Sequence, residues 1–93
     1  MNEIFRPRHQ PAQLIYDAFQ ATAKTREGIP EEWIAKERNA VWVAAKTYAD
    51  QNGLPEPTLQ MVEQAETYAY GSADYGAKWA YKLAELMGTT PSA

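Results

Sequence analysis

The chain has no cysteine and a single histidine among its 93 residues. Without thiols there is no disulfide framework and no zinc–thiolate or thiol redox chemistry, so stability must come from packing. No apolar run approaches the ~18 residues needed to cross a bilayer. The opening Met1-Asn2-Glu3-Ile4-Phe5-Arg6 lacks the continuous apolar stretch of a secretory signal. A cytoplasmic location is therefore expected. An excess of base is also missing, with nine Lys and Arg against twelve Asp and Glu, for a net charge of −3. That balance has the wrong sign for a protein held mainly by phosphates and is too mild for a mimic of duplex DNA.

What is present is a globular composition, with 45% hydrophobic and 23% charged residues, above the disorder regime. The length fits one domain with a modest core. The five glycines and six prolines act as punctuation. Pro7 and Pro11 precede a first periodic segment, and Gly28-Ile29-Pro30 separates it from a second. Gly53-Leu54-Pro55-Glu56-Pro57 ends the second, Gly71-Ser72 interrupts the next, and Gly88 closes the last. Each segment carries helical periodicity, and none alternates as a strand would.

The expected fold is all-α, a compact bundle of three to four helices over about 11–26, 30–52, 58–70 and 73–87, forming one domain. Residues 1–10 read as a flexible arm and 89–93 as a tail. In the first helix Leu14, Ile15, Ala18, Phe19 and Thr22 fall on the buried side. The second, expected to be central, starts with Pro30, Glu31 and Glu32 in a favourable first turn and ends at Gly53 in the left-handed conformation. Its stripe is Ile34, Val41, Ala45 and Tyr48. Trp33 and Trp42 are nine residues apart and point to opposite sides, at roughly 100° per residue. Either this helix is packed on two sides or one indole is exposed. Thr58 is the expected N-cap of the third helix, whose apolar face is Leu59, Val62, Ala65 and Ala69. Ser72 or Asp74 is expected to cap the fourth, with Tyr75, Trp79, Leu83 and Leu86 on its core side and an Asp74–Lys78 pair at the favourable spacing of four.

Catalytic groups are harder to place. His9, in Arg6-Pro7-Arg8-His9-Gln10-Pro11, has no partner nearby in sequence and reads as an exposed residue of the arm. Glu31-Glu32 and Glu63/Glu66 lack the Glu-x-x-His pattern of carboxylate metal sites and read as solvated surface. No phosphate-cradling glycine loop, calcium loop or nucleophile motif occurs. The expectation is a protein that is not an enzyme and needs no cofactor or metal.

The unusual stretch is Tyr68-Ala69-Tyr70-Gly71-Ser72-Ala73-Asp74-Tyr75-Gly76-Ala77-Lys78-Trp79. Its aromatics alternate with small residues around a helix break, a composition that suits both tight packing and binding surfaces. Tyr75 and Trp79 lie on the expected core stripe, whereas Tyr70 does not. The candidate protein-binding surface is Trp42, Tyr70, Asp74, Tyr75 and Lys78. The alternative, DNA or RNA contact, would draw on Arg6, Arg8, Lys78 and Lys82. The last two stand beside Asp74 and Glu85, and no arginine of that helix is available to pair with guanine.

Three segments stand out: Arg8-His9-Gln10-Pro11 with Ile15-Tyr16-Asp17-Ala18-Phe19, Glu37-Arg38-Asn39-Ala40-Val41-Trp42, and Asp74-Tyr75-Gly76-Ala77-Lys78-Trp79-Ala80. Spanning about Arg8 to Met87, they resemble a group of short, uncharacterised proteins of bacteriophages and prophages. The resemblance implies a bacterial host cytoplasm and a role in host takeover, inhibition or phage regulation. It brings no activity and no functional residues. The functional expectation is a non-enzymatic protein-binding module, a phage accessory protein that modulates a host or phage protein by contact, or that self-associates. The alternative is a small DNA- or RNA-associated regulator; no membrane partner is expected.

Overall fold

The computed structural model describes residues 10–88. The expected arm and tail, including Arg6, Arg8 and His9, lie outside the described residues, except that Gln10 is helical. Four helices follow in chain order: α1 (Gln10–Ala23), α2 (Pro30–Asn52), α3 (Leu59–Ala69) and α4 (Tyr75–Leu86). No strand occurs among the described residues, and the fold is the all-α bundle that the periodicity predicts.

The helix ends have local causes. Ile29 is extended, Pro30 opens α2, and Glu31 and Glu32 occupy its first turn. At the other end Gly53 takes φ 68°, ψ 27° and its N–H returns to the Ala49 carbonyl, closing the helix. The Thr58 hydroxyl accepts the Met61 N–H at 3.2 Å, as an N-cap should. Asp74 stands at the N-cap position of α4, yet its carboxylate makes no capping bond, and the helix starts two residues later than expected. The first helix stops at Ala23 rather than near Arg26, which frees Arg26 for tertiary use.

The core is rich in alanine. Ala12, Ile15 and Phe19 of α1 meet Val41, Ala45 and Ala49 of α2, then Val62, Ala65 and Ala69 of α3, and Trp79, Ala80, Leu83 and Ala84 of α4. Small side chains let the helices approach closely, and two hydrogen-bonded or aromatic giants fill the remaining space. Phe19 stacks edge-on against Trp79 with centroids 5.6 Å apart, and the Trp79 indole N–H donates to the Val62 carbonyl at 3.1 Å. Gly76 lets α4 lie close against α1: a Cβ there would stand 2.5 Å from the Phe19 ring.

Packing corrects several details of the sequence reading. The second helix is not central. It packs on α1 and only marginally touches α3 and α4, whereas α1 packs on both α2 and α4, and α3 packs on α4. Leu14, Leu59 and Leu86, expected to face inward, are substantially exposed. In α4 the inward column is Gly76, Trp79, Ala80, Leu83, Ala84 and Met87, rotated by about one residue from the Tyr75–Leu86 stripe. The inward column of α2 is Glu37, Val41, Ala45 and Ala49, with Ile34 and Tyr48 half-buried beside it. The opposed tryptophans are both half-buried. Trp33 is covered by the Arg26 guanidinium, 4.2 Å from its ring centroid, and the Trp42 N–H donates to the Pro57 carbonyl at 3.0 Å. The chain segments flanking α2 thus cover it on two sides.

Candidate functional site

Between the C-terminal half of α1 and the start of α4 lies a groove of about 770 Å³. Tyr16, Phe19 and Gln20 form one wall, and Asp74, Tyr75 and Gly76 the other, with Arg26 at one end. The close approach permitted by Gly76 sets its floor. Phe19 and Tyr75 meet edge-on at 5.7 Å, and Tyr75 leans on Trp79 at 5.5 Å, so the aromatic wall is braced from the core. Gln20 and the Tyr16 hydroxyl are hydrogen-bonded to each other at 2.5 Å.

Two ion pairs involve or touch residues of this groove. Arg26 donates from Nε to Glu37 Oε2 at 2.5 Å and from Nη2 to Oε1 at 3.2 Å, a fork-on-carboxylate geometry. Glu37 is 1% exposed and is the charged side chain within the core. Arg38 donates from Nε to Glu66 Oε1 at 2.6 Å, and the Tyr75 hydroxyl donates to Glu66 Oε2 at 3.3 Å. Adjacent residues of α2 therefore reach in two directions, Glu37 to the α1–α2 connection and Arg38 to α3. The hydrogen bonds to Glu37 and Glu66 raise the pKa of Arg26 and Arg38 respectively. Burial, followed by the negative charge of Glu66, pushes the Tyr75 hydroxyl up from its ordinary value of 10.0.

The corner that joins α3 to α4 borders the groove. Tyr70 leaves the helical region at φ −57°, ψ 133°, and Gly71 follows at φ 85°, a sense that glycine adopts without strain. The turn is hydrogen-bonded: the Tyr70 N–H reaches the Thr67 carbonyl at 3.3 Å and the Ser72 N–H reaches Ala69 at 3.1 Å. Tyr70 is 81% exposed there, and Tyr68 is 59% exposed.

The sequence-predicted surface is brought together only in part. Asp74 and Tyr75 line the groove, Lys78 stands 4.0 Å from Asp74, and Tyr70 projects from the adjoining corner. Trp42 does not join them. Its partner Pro57 precedes α3 while Tyr70 follows it, and an 11-residue helix separates its ends by roughly 16 Å. The Lys46 ammonium also lies 4.3 Å from the Trp42 ring centroid. Of the nucleic-acid candidates, Lys82 lies 3.4 Å from Glu85 and 4.8 Å from the Tyr68 ring centroid, and Arg6 and Arg8 lie outside the described residues. Glu66, expected on solvated surface beside Glu63, is instead held by Arg38 and Tyr75, whereas Glu63 is exposed.

Sequence reasoning missed Arg26, Glu37 and the α1 wall. A signal for Glu37 existed: it falls in the four-residue column of Val41, Ala45 and Ala49, so a charge sits where the pattern demands an apolar residue. Nothing local marks Arg26 as its partner. Among the described residues no group of three or more His, Asp or Glu is arranged to hold a metal ion, and no helix is long and apolar enough to cross a membrane. Compared with family models, curated proteins and solved structures, the chain matches none of them.

Proposed function

We propose that this protein is a non-enzymatic binding module that engages a protein partner through the α3–α4 corner and the adjoining groove. The observation that carries this reading is Tyr70, 81% exposed on a hydrogen-bonded turn that leads directly into the Ala73–Ala77 wall of the groove. A large ring held out on a braced corner offers contact area at little conformational cost, which is how interface anchors act. Tyr75 lines the groove beside it, and Asp74 and Lys78 supply charged groups. Trp42 drops out of this surface.

The segments resembling short phage proteins support placing the module in a bacterial host cytoplasm, as an accessory factor acting on a host or phage protein. The test is affinity capture from such cells with the wild-type chain, Tyr70→Ala and Trp42→Phe, each first checked for an unchanged helical spectrum. A partner retained by wild type and Trp42→Phe but lost with Tyr70→Ala supports the surface. Retention by Tyr70→Ala removes it. Capture of nucleic acid alone, released steeply by salt, points instead to the regulator reading.

A further inference from the structure

The C-terminus of α2 carries a dipeptide with chemistry of its own, independent of the binding surface. Asn52 is the last residue of the helix and Gly53 its left-handed cap, and both side-chain positions are open to solvent. A Cβ built on Gly53 would meet nothing within 4 Å. An asparagine followed by glycine is the pairing in which the next backbone nitrogen is least hindered from attacking the side-chain amide. We propose that Asn52–Gly53 is a self-modification site, converting the asparagine to aspartate and isoaspartate, and that the helix cap gates it.

The chemistry needs only water. Hydroxide removes the Gly53 amide proton, the nitrogen attacks Asn52 Cγ, and the side-chain nitrogen leaves as ammonia, closing a five-membered succinimide. Water then adds to one of its two carbonyls and opens the ring. Opening on one side yields aspartate; on the other it yields isoaspartate, with the main chain routed through the former side chain. Overall, one amide and one water become one carboxylate and one ammonium ion, with no oxidant or reductant.

Three contacts hold the reaction back in the folded chain. The Gly53 N–H is spent on the Ala49 carbonyl, and the Leu54 N–H reaches the same oxygen at 2.9 Å. The Asn52 amide donates from Nδ2 to the Tyr48 carbonyl at 2.9 Å, which turns it back along the helix and away from Gly53. Ring closure also requires Asn52 to leave helical ψ. The last turn of α2 must therefore open first. Once formed, either product places a carboxylate at the negative end of the helix dipole. Isoaspartate in addition lengthens the main chain by one methylene, so the Gly53 and Leu54 N–H groups no longer both return to Ala49. The opening becomes permanent, at the start of the connection whose Pro57 carbonyl holds Trp42.

The sequence supplies internal controls, because its other asparagines precede residues with a Cβ, as in Asn2-Glu3 and Asn39-Ala40. The full chain is incubated in mildly alkaline buffer, folded and in concentrated urea, and digested for mass spectrometry with separation of the aspartate and isoaspartate peptides. In urea, Asn52 is expected to convert to both products while Asn39 stays intact, and Gly53→Ala in urea suppresses the conversion. The folded chain should react at least about tenfold more slowly, since only the opened turn is competent. Persistence of Asn52 in urea overturns the site, and equal rates in the folded and unfolded chains overturn the gate. Neither arm requires the Gly53→Ala chain to fold.

Discussion

Arg26 and Glu37 form the most consequential pair of single residues. A carboxylate that is 1% exposed tolerates burial only because a guanidinium satisfies both its oxygens, and desolvating it without a partner is costly. The guanidinium is itself held over Trp33, so the connection between α1 and α2 is fastened by one side chain. Replacing Arg26 with Ala should cost about 2–4 kcal/mol, toward the lower part of the range for a broken buried pair because the outer face of Arg26 is solvated. The double change Arg26→Met with Glu37→Met should cost much less, because no charge is left stranded. Urea unfolding of both variants decides the matter; equal losses would mean that Glu37 is not stabilised by Arg26. Of this pair, only the misplaced charge in the α2 column is visible in the sequence. A guanidinium between two helices could pair in several directions.

At the scale of elements, the helix ends are written locally and the faces are not. Pro30, Gly53 and Thr58 act through their own backbone or nearest turn, and the helices they bound begin and end within a residue of expectation. The fourth helix starts at Tyr75 rather than 73 because Asp74, not Ser72, takes the N-cap position, although its carboxylate makes no capping bond. Rotation of α4 is set by the partner, since Gly76 must face Phe19 for α1 and α4 to close. Gly76→Ala tests this directly. Alanine gains roughly 1 kcal/mol of helix propensity over glycine, yet the added methyl collides with a buried ring at 2.5 Å. Overpacking of this kind costs about 1–3 kcal/mol, so the variant should be less stable despite the better helix former. Adding Phe19→Leu should recover part of the loss in thermal unfolding. If Gly76→Ala alone stabilises the protein, the tight α1–α4 contact is wrong.

Across the whole molecule, the α1–α2 and α3–α4 hairpins meet through α1 and α4, and polar contacts bridge the α2–α3 side. Tyr75 and Glu66 belong to that bridge, and this gives stability a pH dependence. The Tyr75 pKa is higher folded than unfolded, so the folded chain retains a proton that the unfolded chain releases. The contribution is therefore complete below the unfolded value, near 10.0, and is lost as pH rises above it toward the folded value. Above about pH 10 the urea midpoint should fall more steeply for wild type than for Tyr75→Phe, whose ring cannot ionise. Parallel curves would remove Tyr75 from this role.

The helical class, the four segments and most of their boundaries were legible in the sequence because periodicity, proline, glycine and capping side chains act over a few residues. That Tyr70 lacks a core position was legible for the same reason, since it falls off the stripe at a marked break; whether the corner is packed or open was not. The groove, the exclusion of Trp42 from it and the pairing of Arg26 with Glu37 depend on which helices become neighbours. That choice was made by alanine-rich faces that fit closely and by one glycine that admits a phenylalanine. Such contacts join residues far apart in the chain, and only the tertiary structure decides them.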